Sequence, residues 1–213
     1  IIRMFKKILG REKFLEGMDQ FFKNQDGCAC TLEDFQKDFE LVLNKNLEKF
    51  FKWFHEPGTP KLVVSEKFVG KNYKVIFRQE KPINQRKNSN KVIPITYKIL
   101  NSKGQILQPE KTLVLDGKTT SIELKNLSTK PAISLLNSFS APVIVEFKQS
   151  IDDLFAILEF ETDFTSVWMT KKKLDNIVLE KIASDQPSVE NVISRIYEIL
   201  INKVHTPSLL SLI

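Results

Sequence analysis

The chain is poor in the residue types from which most active sites are built. Of its 213 residues, two are histidine, two are cysteine and seven are glycine. The glycines are too widely spaced to form Gly-x-x-x-x-Gly-Lys or Gly-x-Gly-x-x-Gly, which excludes the common phosphate- and dinucleotide-binding loops. No Gly-x-Ser-x-Gly motif occurs, so the strand-to-helix turn that often carries a serine nucleophile is excluded as well.

Long apolar runs are also missing, and positive charge is not concentrated in one place. No run of about 18 apolar residues is present, so the sequence predicts no membrane span and no membrane partner. The net charge of +6 is spread over interspersed basic and acidic residues, and the longest basic run, Lys171-Lys172-Lys173, is followed at once by Leu174 and Asp175. We interpret this pattern as a solvated surface and predict no nucleic-acid partner.

Neither histidine has the surroundings of a metal ligand. His55-Glu56 begins like His-Glu-x-x-His, in which two histidines one helical turn apart hold zinc and the glutamate activates water. The second histidine would have to stand where Thr59 is, and Pro57 would break the helix that the motif requires. We therefore interpret His55 as a helix-end residue. His205 has no cluster of cysteine, histidine or acidic residues beside it, and we assign it a structural role.

The two cysteines do not indicate a site either. Cys28 and Cys30 are separated by a single residue within a predicted turn, so a disulfide between them would be strained. No second pair exists to complete a tetrahedral zinc site. Free thiols are typical of a reducing cytoplasm, which is the location we predict. No catalytic, substrate-binding or metal-binding residue is predicted anywhere in this chain.

Helical spacing occupies the first 55 residues. Ile1, Met4, Phe5, Ile8 and Leu9 share one face of a first helix, which Gly10 is suited to end. Because the chain opens inside this pattern and without a methionine, we expect it to be an internal fragment of a longer protein.

Three more helices are predicted in this region. Thr31 is the expected N-cap of the third helix, and Asp34 completes a capping-box pattern with it. The predicted apolar faces of the second, third and fourth helices are Phe14, Leu15, Met18, Phe21 and Phe22; Leu32, Phe35, Phe39, Val42 and Leu43; and Leu47, Phe50, Phe51 and Phe54.

A β-rich region is predicted to follow Pro57-Gly58-Thr59-Pro60, which ends the helices. The apolar period changes there from 3.6 to 2, and turn signals such as Asp116-Gly117 separate short runs. Many short strands without intervening helices favour an immunoglobulin-like antiparallel β-sandwich. The polar stretch over 81–90 is expected to be an exposed, mobile loop. The predicted strands cover 62–68, 73–78, 92–100, 105–107, 112–115, 121–124, 132–135 and 143–147.

Helical spacing returns after about residue 150. Three helices are predicted, the third entered through 185–188, and the apolar run over 209–213 suggests that further helices follow. The predicted fold is therefore α+β and multidomain: short helices, then the β-sandwich, then the start of an α-helical domain. The apolar positions expected in the three helices are Leu154, Ile157 and Leu158; Trp168, Leu174 and Ile177; and Val189, Val192, Ile193, Ile196 and Leu200.

Several short segments, taken in order, carry a family resemblance. They include Phe14-x-x-Gly17-Met18, the Asp26-Gly27 turn, Trp53 ahead of Gly58-Thr59-Pro60, and Phe139-Ser140-Ala141-Pro142-Val143. Asp163-Phe164 ahead of Trp168 continues the series, with one residue more than the usual spacing. To about residue 175 the chain resembles the middle of bacterial members of the alanyl aminopeptidase family of zinc metallopeptidases.

The resemblance implies that the chemistry lies elsewhere in a longer chain. The family removes amino-terminal residues from peptides, using a zinc ion held by His-Glu-x-x-His and a distant glutamate, a Gly-x-Met-Glu-Asn segment and a tyrosine. None of these motifs lies in this sequence, so no functional residue is carried over. Zinc is expected in the parent enzyme and none in this segment, which alone is expected to be inactive. The expected partners are the rest of the aminopeptidase chain and, for the parent, peptide substrates.

The resemblance also implies a division into three parts. Residues 1–57 would be the helical tail of the catalytic domain, 58–148 the immunoglobulin-like β-sandwich, and 149–213 the beginning of the carboxy-terminal α-helical domain. The segment would brace the catalytic domain and link it to the helical cap. The alternative is a free-standing immunoglobulin-like module that binds proteins without catalysis. The mass of the natural polypeptide separates the two, because the module would have a mass of 24.6 kDa.

Overall fold

The computed structural model of the chain describes residues 1–80, 90–184 and 189–203. Most of the predicted loop over 81–90, the helix entry at 185–188, His205 and the apolar run over 209–213 lie outside these residues. Within them the order of elements is four helices, seven strands and three helices. This order confirms the predicted α+β fold class.

The amino-terminal helices enclose a core that is rich in phenylalanine. The ring of Phe5 lies 4.7 Å from that of Phe50 and 4.9 Å from that of Phe39, measured between centroids. The capping box predicted at Thr31 and Asp34 is present. The helices are α1 (Ile2–Leu9), α2 (Arg11–Gln25), α3 (Leu32–Leu43) and α4 (Glu48–His55).

Helix α2 is turned relative to the predicted apolar stripe. Leu15 and Phe22 are 46% and 55% exposed, so assigning them to the buried face was wrong. The fully buried residue of α2 is Gly17. Amphipathic spacing predicts which face of a helix is buried only to within about one residue. In α2 the close approach of α3 at Gly17 determines which face is buried.

Two sheets form the predicted sandwich. One has the strand order β5-β2-β1-β7 and the other β4-β3-β6. All neighbouring strands are antiparallel except β1 and β7, which are parallel. Alternate side chains of each sheet face the shared core, so that Tyr73, Val75 and Phe77 are fully buried. The strands are β1 (Lys61–Val69), β2 (Asn72–Glu80), β3 (Ile93–Leu100), β4 (Ile106–Leu115), β5 (Thr119–Leu124), β6 (Ala132–Leu135) and β7 (Ile144–Phe147).

One predicted break in the sheet is absent. The strands expected over 105–107 and 112–115 form the single strand β4, with shifts in its pairing to β3. Pro109 lies within β4 and has no N–H to donate. An edge strand tolerates this, because one side of it has no partner strand. The outer position of β4 in its sheet was not visible from the sequence.

The carboxy-terminal helices build a second, separate core, and the long helix α6 again differs in rotation from the prediction. Trp168 is 44% exposed, and Val167, which is 1% exposed, takes the buried position. The helices are α5 (Ile151–Phe160), α6 (Phe164–Ala183) and α7 (Val189–Lys203). Among the described helices, none combines the length and apolar character needed to cross a bilayer.

Candidate functional site in the joints of the sandwich

Metal-binding and nucleophilic groups are not brought together in the part of the chain that the structure describes. There, no group of three or more His, Cys, Asp or Glu side chains is placed to hold a metal ion. His55 is the last residue of α4, as the sequence predicted, and its side chain is exposed. Cys28 and Cys30 are free and exposed. What stands out are three buried polar clusters, each of which ties the sandwich to a helix.

The first cluster is built around Glu161, which directly follows α5. Its carboxylate is fully buried and pairs with the ammonium group of Lys98 on β3. The amides of Thr162 and Asp163 donate to its Oε1 at 2.7 and 3.0 Å. The Asn137 side-chain amide donates to its Oε2 at 3.3 Å. These contacts join the end of α5 to β3 and to the turn after β6.

The ionisation of Glu161 follows from these partners. Burial by itself would raise the pKa of the carboxyl group, because a charge is disfavoured away from water. The ammonium group of Lys98 and the two amides outweigh burial, so the pKa of Glu161 lies below its ordinary value. The cluster therefore holds a carboxylate with its charge compensated, which fits a structural ion pair better than a proton donor.

Asp163 extends this cluster into α6. Its Oδ1 accepts from the amide of Ser166 at 2.9 Å, which caps the helix, and its Oδ2 accepts from the amide of Ser138 at 2.8 Å. Ser138 and its neighbours Leu136 and Phe139 have φ between +51° and +58°. Non-glycine residues adopt such angles at a cost of order 1 kcal/mol each and keep them only where the surroundings hold them. Asp163 is one of the groups that hold this turn.

Lys203 connects α7 to the Glu161 cluster. Its ammonium group donates to the backbone carbonyl of Glu161 at 2.6 Å and also to that of Leu158. The last carbonyls of a helix lack partners within the helix, and a lysine is a favourable partner for them. Burial lowers the pKa of Lys203 to about 8, against the opposing influence of Glu161 and Glu159.

The second cluster lies at the other end of α5. Lys130, in the loop before β6, pairs with Asp153 in the first turn of α5 and with Glu66 on β1, the latter at 2.8 Å. The hydroxyl of Tyr73 donates to the other oxygen of Glu66. Burial would lower the pKa of Lys130, but the two carboxylates outweigh it and raise that pKa. Asp153 also completes a capping box with Ser150. The same side chain therefore caps the start of α5 and attaches the helix to Lys130 of the sandwich.

The third cluster joins α4 to the sandwich. The Lys91 side chain is 3% exposed, and its ammonium group donates to the backbone carbonyl of Glu56 at 2.7 Å. The same group lies 4.8 Å from the ring centre of Trp53. The indole of Trp53 donates to the carbonyl of Val92 at 2.7 Å. Burial lowers the pKa of Lys91, because its charge is removed from water.

Trp53 and Asp163 belong to the segments that carry the family resemblance, but no sequence pattern predicted that they or the other members of these clusters are buried together. Each carries contacts with residues far along the chain; Lys98 and Glu161, for example, are 63 residues apart. Local signals are present at two helix starts, in the spacing of Ser150 and Asp153 and in that of Asp163 and Ser166. The clusters contain no nucleophile activated by a base, so their chemistry is that of fixing neighbouring elements in place.

Comparison with known proteins first defines the class of the central region. Residues 58–148 match the family described as "Domain of unknown function (DUF3458) Ig-like fold". The match agrees with the two-sheet arrangement and confirms the predicted immunoglobulin-like character of the sandwich.

Comparison of the whole chain confirms the predicted resemblance to bacterial aminopeptidase N. The chain is 30% identical over 171 residues to aminopeptidase N of Haemophilus influenzae, covering 75% of this chain and 20% of that protein. It is 29% identical over 194 residues to aminopeptidase N of Escherichia coli, covering 82% of this chain and 21% of that protein. The chain thus spans about a fifth of the length of the curated relatives it matches.

A solved structure extends the likeness over all elements. The crystal structure of Legionella pneumophila aminopeptidase A in complex with aspartic acid is similar to this chain with a TM-score of 0.87 and 30% sequence identity. The match covers 100% of this chain and 25% of that one. The arrangement of helices, sandwich and helices is therefore shared as a unit with a segment of an aminopeptidase.

Proposed function

We propose that this chain is a non-catalytic part of a zinc-dependent aminopeptidase that removes amino-terminal residues from peptides. The observation that carries the proposal is the continuity of the similarity. One structural match to an aminopeptidase runs through the four helices, the sandwich and the three following helices at 30% identity. A free-standing immunoglobulin-like module would share the sandwich with such enzymes, but would have no reason to share both helical flanks.

We also propose the division into three domains that the resemblance implies. Residues 1–57 belong to the catalytic domain, 58–148 form the sandwich, and 149–213 begin the helical domain. In this arrangement the Lys91 cluster fastens α4 to the sandwich, while the Glu161 and Lys130 clusters fasten α5. The sandwich then serves as a brace that sets the distance between the catalytic domain and the helical cap. The free, exposed thiols of Cys28 and Cys30 support a cytoplasmic location.

The described residues of this chain do not offer a site for the zinc of the proposed enzyme. His55 has Thr59 at the position where a second histidine would be needed, and α4 ends at His55 itself. The buried carboxylates of Glu161 and Asp153 are engaged by lysines and backbone amides, and no group of three or more His, Cys, Asp or Glu side chains among the described residues is placed to hold a metal ion. Ligands for the metal are therefore assigned to protein outside this sequence.

Two measurements test the proposal. The natural polypeptide that carries this sequence is isolated, weighed by mass spectrometry and analysed for zinc and for hydrolysis of an aminoacyl chromogenic substrate. We expect a mass far above 24.6 kDa, stoichiometric zinc and hydrolysis. A natural product of that lower mass without activity would favour the interaction module.

The second measurement uses the 213-residue chain alone. It is assayed with the same substrate in the presence of added zinc, and we expect no turnover. Zinc-dependent turnover by this chain would show that the chemistry lies within it and would overturn the proposed role as scaffold.

A further inference from the structure

Apolar contact between the sandwich and the carboxy-terminal helices is small. The buried residues of the sandwich form one cluster with those of α1–α4, and the buried residues of α5–α7 form a second, separate cluster. Between them, in the part of the chain that the structure describes, lies a third cluster with four buried members, Leu100, Ala132, Ala156 and Ile157, against which Phe160 packs. A patch of this size gives little directional preference, because the hydrophobic effect depends on buried area and not on orientation.

Directional contacts are found at the two ends of α5. At its start, Asp153 pairs with Lys130 of the sandwich, and immediately after its end Glu161 pairs with Lys98. Asp153 and Glu161 are eight residues apart along α5 and its end, which at roughly 1.5 Å per residue places the two attachments about 12 Å apart. Two attachments at this separation fix the direction of the helix as well as its position.

The Glu161 attachment involves all parts of the helical region. Its backbone carbonyl accepts from Lys203 at the end of α7, and its side chain accepts from the amide of Asp163, the N-cap of α6. A buried carboxylate that loses its charged partner is strongly destabilising, because the uncompensated charge stays away from water. Separation of the helices from the sandwich would expose or unpair these groups together.

We propose that the pairs Lys98–Glu161 and Lys130–Asp153 form an ionic latch that makes the sandwich and the helices α5–α7 unfold as one unit. Without the latch the two cores would unfold independently, each at its own stability. The inference concerns this chain by itself and does not depend on the proposed aminopeptidase function. The two pairs are proposed to couple the unfolding of the sandwich to that of α5–α7. A pair that only stabilised the protein would not have this effect.

The test is pulsed hydrogen exchange along a urea series, read by mass spectrometry on peptides from α6 and from β2. In the unaltered 213-residue chain, we expect the two segments to unfold at the same midpoint. In Lys98→Met and in Glu161→Gln, we expect the α6 midpoint to fall below the β2 midpoint by roughly 1 M urea. Glu16→Gln, which removes the same charge from an exposed pair with Lys13, should leave the midpoints together.

Two results would overturn the latch. One is a difference between the α6 and β2 midpoints in the unaltered chain, since the cores would then be uncoupled already. The other is an equal shift of both midpoints in the two variants, which is the behaviour of a residue that stabilises without coupling. If Glu161→Gln does not fold, Lys98→Met decides the question, because it leaves the amide contacts of Glu161 in place.

Discussion

The ring of Phe160, the last residue of α5, lies so close to Gly104 that a Cβ added to this glycine would come within 2.5 Å of it. Gly104 belongs to the turn between β3 and β4 and has a φ of +79°. Both the backbone angle and the neighbouring ring therefore require glycine at this position. The turn between β3 and β4 therefore leaves room for the Phe160 ring at the end of α5.

Replacing Gly104 by alanine should destabilise the protein by about 2–4 kcal/mol. Roughly 1–2 kcal/mol come from the positive φ, and the rest from the collision with the Phe160 ring. Gly70→Ala is the matched control, because Gly70 also has a positive φ, of +62°, but nothing within 4 Å of an added Cβ. Urea unfolding of both variants measures the difference. Equal losses would show that the ring contact contributes nothing.

Features governed by neighbours in the sequence were predicted well. The capping box of Thr31 and Asp34, the helix end at Gly10 and the strand over 132–135 all appear where the local pattern placed them. A capping box and a helix end depend on contacts within a few residues, and the strand is marked by a short apolar run, so all three are visible in a single sequence.

Features governed by packing were not predictable in the same way. Trp168 and Val167 are adjacent and both apolar, so helical spacing alone could not decide which one faces the core. Glu161 gave no signal, because its partner Lys98 lies in a strand far away along the chain. The buried polar clusters could therefore be identified only from the structure.

Gly17→Ala should lower stability although it improves the helix propensity of α2. In an open helix, alanine is more favourable than glycine by about 1 kcal/mol. Here an added Cβ would come within 2.2 Å of the ring of Phe39, which is fully buried. Such overpacking costs roughly 1–3 kcal/mol on its own, and after the gain in helix propensity we expect a net loss of up to about 2 kcal/mol in urea unfolding.

A second background tests whether the Phe39 ring causes the loss of stability expected in Gly17→Ala. Gly17→Ala is introduced a second time into a Phe39→Leu background, where the smaller side chain leaves room. We expect the substitution to be neutral or stabilising there, as the helix propensity dictates. A loss of equal size in both backgrounds would mean that the Phe39 contact does not explain it.

Lys130→Met should destabilise the protein by about 2–3 kcal/mol at pH 7. The carboxylates of Glu66 and Asp153 lose their shared cation, and their side chains are only 12% and 11% exposed. Lys49→Met is the control, because its pair with Asp116 is exposed and should contribute below about 1 kcal/mol. A loss in Lys130→Met no larger than that in Lys49→Met would contradict the ionic explanation.

Lys203 should give the protein an alkaline gain in stability. Burial lowers its pKa to about 8 in the folded state, whereas in an unfolded chain it lies near the ordinary value of 10.5. Between these values the unfolded chain binds more protons, so the free energy of unfolding rises with pH. The rise attributable to Lys203 amounts to at most about 3 kcal/mol and is complete once the pH exceeds the unfolded value.

Other groups titrate in the same range, so the effect of Lys203 must be isolated by difference. Tyr73 and Lys61 have raised pKa values and lose their contributions at high pH, but they do so equally with and without Lys203. Urea unfolding of the unaltered protein and of Lys203→Met is therefore compared at pH 7, 8, 9 and 10. The unaltered protein should gain stability relative to the variant at each step above pH 8, because the ammonium group that burial disfavours becomes neutral. A difference that is flat or falls over these steps would mean that the charged form of Lys203 is not disfavoured by its place between α5 and α7.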